Sequence, residues 1–157
     1  MEGVYKINTD AAMFEDSQIG LGGVVRDFEG NVVVAMCNKV VGSNDVAVAE
    51  ALSARQGVQV ALEAGFTNLV LEVDNIRVFR SLQDRRFDAA PFGIIIRDIL
   101  RFEHQCSKLV FSHVKRIGNC VAHGLAKLSQ AYNGLHVWLE EAPTEVTRYV
   151  LADKFDE

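Results

Sequence analysis

Asp10, Glu50 and Asp74 are the residues of this 157-residue chain best placed to do chemistry, because each is an acid where a packed α/β domain has no structural need of one. Asp10 falls on the polar side of an alternating stretch, and Asp74 ends a short β-branched apolar run. Glu50 stands about one turn into a helical segment, Ala-Glu50-Ala-Leu-Ser-Ala, whose small residues let a helix come close to a sheet. If the three converge, their charges repel one another unless a cation lies between them, and hard oxygen ligands suit Mg²⁺ or Mn²⁺ over Zn²⁺. Taken singly, two of them have plainer explanations. Asp74 could cap a helix beginning at Asn75, and Glu50 could be a solvated acid favoured by the helix dipole.

The elements that must position these acids follow from periodicity. From Val4 onward, Tyr5, Ile7 and Thr9 alternate with Lys6, Asn8 and Asp10, the period of a half-buried strand with Asp10 on its polar face. Residues 20–28 and 31–37 are two further strands around the turn Glu29-Gly30, so the chain begins as an antiparallel meander. After the cap cluster Ser43-Asn44-Asp45 the period changes, with Ala51, Ala54, Val58 and Ala61 at helical spacing up to Gly65. Residues 69–74 are an apolar strand with a parallel neighbour. Ile76, Phe79 and Leu82 mark a short helix, and Phe92, Ile95, Ile96, Ile99 and Phe102 a longer one after Pro91. Residues 109–114 form a fifth strand, and residues 119–132 a closing helix with Val121, Leu125, Leu128 and Tyr132 on one face. The order β-β-β-α-β-α-α-β-α predicts an α/β fold: a mixed five-stranded sheet, three antiparallel strands plus two parallel ones, flanked by helices. Gly20, Gly22 and Gly23 lie inside a strand and read as structural, so they are not the phosphate-binding turn of a dinucleotide fold.

Hydrophobic residues make up 49% of the chain, enough for one domain with a buried core and too little length for a second. A formal charge of -5 counts against a strongly basic, non-specific nucleic-acid binder. Cys37, Cys106 and Cys120 are odd in number and contain no Cys-x-x-Cys, which argues against a disulfide framework or zinc ribbon and for a reducing compartment. No apolar run reaches the roughly 18 residues of a membrane span, and no apolar stretch follows Met1-Glu2-Gly3 as a signal peptide requires. The expectation is a soluble, monomeric, intracellular protein, nuclear or cytoplasmic and not secreted, with no membrane partner. A seam at Asn133-Gly134 divides a domain over residues 1–133 from an acidic extension over residues 134–157. Residues 144–152 read as a helix, with Trp138, Leu139, Val146, Tyr149 and Val150 giving the extension an apolar side that packs back on the domain.

Four ordered motifs carry a family resemblance. They are Lys6-Ile-Asn-Thr-Asp10-Ala-Ala with the Gly-Gly-Val-Val-Arg-Asp hairpin, Ala-Glu50-Ala-Leu-Ser-Ala, Leu-Glu-Val-Asp74-Asn75, and Val-Lys-Arg-Ile-Gly-Asn119-Cys-Val-Ala-His123-Gly-Leu-Ala. Over nearly all of residues 4–133 the chain resembles the ribonuclease H family, most of all its plant reverse-transcriptase-like branch. The resemblance implies an RNase H-like fold and an endonuclease that cuts the RNA strand of RNA/DNA hybrids, leaving 5′-phosphate and 3′-hydroxyl ends. It implies two divalent ions, Mg²⁺ or Mn²⁺, with Asp10 bridging both, Glu50 holding one, Asp74 helping to hold them and to place the attacking water, and His123 at the fourth position. It also makes Asn75, Lys115, Arg116 and Asn119 candidates for substrate contact, the two cations on backbone phosphates.

Most well-known relatives have Asp where this chain has His123, and the plant-like branch often has His. A neutral imidazole removes one negative charge and is a softer ligand, so the second ion binds more weakly and Mn²⁺ gains on Mg²⁺; alternatively, His123 passes a proton to the leaving oxygen. The loop before the last helix is short and lacks the glycine-rich segment with a mobile histidine found in many relatives. His113 precedes it within a strand and reads as structural, while His104 and His136 read as surface residues. Asp10-Ala-Ala replaces a usual Asp-Gly, and Val46-Ala-Val48 replaces polar residues that touch RNA 2′-hydroxyls, so discrimination against DNA is less secure than the metal site.

Arg77, Arg80, Arg85, Arg86, Arg97 and Arg101 against Asp84, Asp88 and Asp98 give residues 75–101 a local +3, for phosphate contact or a solvated helix face. Other readings stay open: a catalytically weak or inactive retroelement-derived module binding nucleic acid or protein, a piece of a larger protein, or another nuclease of the same superfold. The Asn-x-x-Ala-His-x-Leu-Ala ending disfavours the last. The extension holds six acids against two bases, or -4, which leaves -1 on residues 1–133. Two bound divalent ions would bring that part to +3.

Overall fold

The computed structural model describes residues 3–42 and 44–156, with side chains as far as residue 152. Ser43 of the cap cluster and the Met1-Glu2 start lie outside the described residues. The elements run β1 (Tyr5–Met13), β2 (Gln18–Arg26), β3 (Val32–Val41), α1 (Val46–Glu63), β4 (Asn68–Val73), α2 (Ile76–Gln83), α3 (Pro91–Arg101), β5 (Lys108–His113), α4 (Cys120–Leu128), β6 (Gly134–Leu139) and α5 (Thr147–Asp156).

Local chemistry sets the boundaries. Asp27 Oδ1 accepts from the backbone N–H of Glu29 and of Asn31, both at 2.9 Å, and Gly30 takes φ 85°, which closes the β2–β3 hairpin. Asp45 caps α1 by accepting from Val48 N at 3.2 Å. Gly65, at φ 96°, ends that helix. Pro91 begins α3, where a missing N–H costs nothing.

The sheet order is β5-β4-β1-β2-β3-β6. β1 pairs antiparallel with β2 and parallel with β4, and β4 pairs parallel with β5. The architecture is the expected mixed α/β one, but the strand count is six. Residues 134–139, read from sequence as part of the extension, pair antiparallel with β3 from Val34↔Leu139 to Lys39↔Gly134. Their alternation is real but short. It is legible only once β3 is seen to run on to Val41, four residues past its expected end.

β1 departs from expectation in burial. Ile7 and Thr9 are covered, and so are Asn8 and Asp10, because α1 lies on one face of the sheet and α4 on the other. α1 approaches through Gly57, where a Cβ would collide with Thr9 and Ile7. α4 approaches through Gly22, where a Cβ would meet the backbone of Ala122 and Ala126. The in-strand glycines are therefore packing devices. The core is split accordingly: Ile7, Val25, Val34, Met36, Leu71 and Ile96 belong to the α1 side, and Val24, Ala35, Cys37, Val121, Leu125 and Val146 to the α4 side. The closing helix ends at Leu128 and continues as a 3-10 turn over Ser129–Ala131. A 3-10 turn over Thr144–Val146 leads into α5, whose Tyr149 and Val150 pack against the α4-side core.

Candidate active site

Asp10 lies on β1 opposite Gly22 of β2, and β1–β4 pairing extends to Asn8↔Glu72, so Asp74 arrives level with Asp10 just past the end of β4. The strand order makes these two neighbours. Glu50 descends from the second turn of α1, held by a hydrogen bond that its Oε1 accepts from Ala11 N at 3.3 Å. One carboxylate oxygen from each of the three acids lies within 4.8 Å of the others, the one such metal-competent cluster among the described residues.

Burial makes this arrangement costly. Asp10 is 2% exposed and Glu50 7%. Burial and the Asp10 charge push the Glu50 carboxyl far above the ordinary carboxylate range. Burial and the same charge raise Asp74 as well, against the opposing pull of the Asn119 amide, the Arg116 guanidinium and the His123 ring. Asp74 Oδ2 is buried without a hydrogen-bond partner. Mutual repulsion and an orphaned oxygen in a largely buried site are what a hard divalent cation would relieve, so the donor set fits Mg²⁺ or Mn²⁺.

The rival explanation for Asp74, a cap on a helix beginning at Asn75, does not hold: α2 begins at Ile76 and Asn75 is its cap, with Oδ1 accepting from Val78 N at 3.0 Å, which leaves the Asp74 carboxylate for the cluster. His123 on α4 joins the acids, with Nδ1 at 2.8 Å from Asp10 Oδ2. Asn119 is fully buried and donates from Nδ2 to Thr9 O at 2.8 Å, tying the start of α4 to β1 one residue before Asp10. Lys115 and Arg116 are exposed, and the Arg116 guanidinium is near enough to act on Asp74. His113, read from sequence as structural, places Nε2 3.0 Å from the Asp74 backbone oxygen and packs on the Phe79 ring at 5.7 Å. Its strand position gave no sign of that contact. His104 and His136 are exposed away from the cluster. The arginines are dispersed: Arg85 pairs with Glu103 at 2.6 Å, and Arg77 stacks over Phe92 at 4.1 Å.

A family model described as reverse transcriptase-like matches residues 8–129, a span that contains every member of this cluster. The chain belongs to the reverse transcriptase-like family. Among solved structures this reverse transcriptase-like chain is similar to RNase H1 from the halophilic archaeon Halobacterium salinarum, at 18% identity and TM-score 0.74, covering 82% of this chain and 98% of that one. It is similar to the N-terminal RNase H domain of a Mycobacterium tuberculosis protein, at 19% identity and TM-score 0.72, covering 82% and 94%. A compost-derived RNase H1 solved in complex with an RNA/DNA hybrid superposes with TM-score 0.66 at 19% identity, over 80% of this chain and 95% of that one. The comparison with curated proteins gave no match. The fold of the reverse transcriptase-like chain is RNase H-like, with the sixth strand added to the expected five. No helix of the described residues is long and apolar enough to cross a membrane.

Proposed function

We propose that the domain is a metal-dependent ribonuclease H that hydrolyses the RNA strand of RNA/DNA hybrids, leaving 5′-phosphate and 3′-hydroxyl ends. The observation that carries this reading is the convergence of Asp10, Glu50 and Asp74 within 4.8 Å on an RNase H-like fold. The related RNase H1 solved with an RNA/DNA hybrid supports the substrate class.

Two divalent cations, when bound, supply activation of the attacking water and charge neutralisation at the leaving 3′ oxygen. Asp10, opposite Gly22 at the centre of the cluster, would help hold both cations. Glu50 is aimed by Ala11 N–H, and Asp74 offers the orphaned Oδ2. His123 completes the set as a neutral donor or, with Nδ1 turned to Asp10, holds a proton at Nε2 for the leaving oxygen. Lys115 and Arg116 hold backbone phosphates, and Asn75 uses the amide nitrogen left over from its cap. Asn119 acts from below, by fixing Thr9.

The test is incubation of the purified chain with labelled RNA/DNA hybrid, RNA duplex and DNA duplex, in Mg²⁺ and separately in Mn²⁺, beside Asp10→Asn. Selective cutting of the hybrid that the variant lacks is the expected result. Intact substrates in both metals, with hybrid still bound, would sink the catalytic reading and leave a nucleic-acid-binding module.

A further inference from the structure

β6 ends the sheet, paired with β3 on one side and, among the described residues, with no strand on the other. Its outer row of backbone N–H and C=O groups is thus open to another strand. Proteins usually blunt such an edge with charge, proline or a bulge. Gly134–Leu139 carries no Lys, Arg, Asp, Glu or Pro, and its register with β3 runs unbroken. Leu135, Val137 and Leu139 alternate along it at 48%, 43% and 65% exposure, on the sheet face that carries α1. The opposite edge differs: β5 begins at Lys108 and presents only Val110 among the exposed large hydrophobic residues. Three apolar side chains in a row beside an open backbone edge form one continuous strip, unlike scattered surface hydrophobics.

We propose that β6 is a homodimer interface, in which β6 of two copies pair antiparallel about a two-fold axis through Val137 and join two six-stranded sheets into one. The strand is self-complementary in that register. Leu135 faces Leu139 of the second copy on the α1 side, and His136 faces Trp138 on the other, so each row meets like chemistry. The acids that follow the strand do not meet each other: Glu140 falls opposite Gly134 and Glu141 opposite Asn133. Val137 meets its own copy. A foreign strand could use the same hydrogen bonds, but the matched pairs Leu135–Leu139 and His136–Trp138 at equal distances from Val137 favour an identical strand as the occupant. The two-fold axis stands perpendicular to the sheet and puts both α1 helices on one face. The Asp10 cluster lies three strands away, between β1 and β4, and stays open in both copies.

The experiment is sedimentation of the full chain over a micromolar to sub-millimolar range, for wild type, Val137→Lys, Val137→Glu and an equimolar mixture of the two variants. Val137 is a surface side chain of a formed strand, and circular dichroism with thermal melting verifies that each variant folds. Wild type is expected to dimerise. Each variant alone should weaken the dimer at least about tenfold, because like charges then face each other across the axis. The mixture should restore it. A wild type that stays monomeric overturns the proposal, as does dimerisation that either variant leaves intact, or failure of the mixture to recover, since each removes the Val137-centred pairing.

Discussion

His123 Nδ1 lies 2.8 Å from Asp10 Oδ2 although 113 residues separate them in the chain, so α4 delivers an imidazole directly to the central acid of β1. A His at this place lowers the negative charge of the cluster at the cost of a hard ligand. His123→Asp should bind Mg²⁺ about tenfold more tightly and melt at a lower temperature without divalent ions. Calorimetric titration beside a melting curve reads both. Equal affinity in the two proteins would remove His123 from the metal site.

Asp10 contributes to repulsion in the metal-free fold as well as to the proposed chemistry. Its charge helps raise both Glu50 and Asp74. Asp10→Asn should therefore cut hybrid at least about 100-fold more slowly. It should also gain about 1 kcal/mol or more of stability in chelator, as measured by denaturant unfolding. A variant that is both inactive and less stable would contradict the stated electrostatics.

The same groups set a pH dependence. Glu50 and Asp74 have folded pKa values raised above their ordinary 4.5 and 3.8, so the folded chain holds protons that the unfolded chain has released. Their contribution is fully present in acid and is lost as pH rises from those ordinary values upward through the raised ones. In chelator the melting temperature should fall from about pH 5 to about pH 8. Glu50→Gln should flatten that slope, and saturating Mg²⁺ should offset it. A slope unchanged in Glu50→Gln would assign it to other groups.

Gly22 is the contact that lets α4 reach the sheet. Gly22→Ala drives a Cβ against the backbone of Ala122 and Ala126 and should cost about 2–3 kcal/mol. The useful control is Leu82→Ala, which damages the core on the α1 side by about 2–5 kcal/mol. Only Gly22→Ala should also lose divalent-cation affinity, because His123 and Asn119 ride on the displaced segment. Equal affinities in the two variants would make Gly22 a stability residue alone.

Cys37, on β3 beneath α4, has its thiol pushed up to about 11 by burial. It should resist thiol reagents at neutral pH while the native fold holds. Because the folded value exceeds the ordinary 9.0, its contribution to stability is lost as pH rises from about 9 through about 11. Cys37→Ala should show a shallower alkaline fall in unfolding experiments; an identical fall would locate the effect elsewhere.

Much of this was legible in the residues. Periodicity found every strand and α-helix from β1 to α4, because a strand or helix that buries one face writes its period into the sequence; the short 3-10 turns at Phe102–Gln105 and Arg116–Asn119 carry no such period. It missed β6, whose six residues alternate too briefly to stand out. It also misjudged β1: Asn8 and Asp10 are polar yet buried, and a pattern of polarity cannot show that a second helix covers that face. Asn119, read from sequence as a candidate for substrate contact, also donates to Thr9 O at 2.8 Å, a long-range tie that its motif did not announce.

The sequence alone determined which groups are present: three acids, a histidine and two nearby cations, on elements of stated type and order. Only the tertiary structure decided that they meet. Convergence depends on the parallel β1–β4 pairing, on the side from which α1 descends and on the closeness that Gly22 allows α4. These are long-range relations between segments, and no local period encodes them. The electrostatic strain of the site likewise arises only when buried charges are brought within a few ångströms in a medium that screens them poorly.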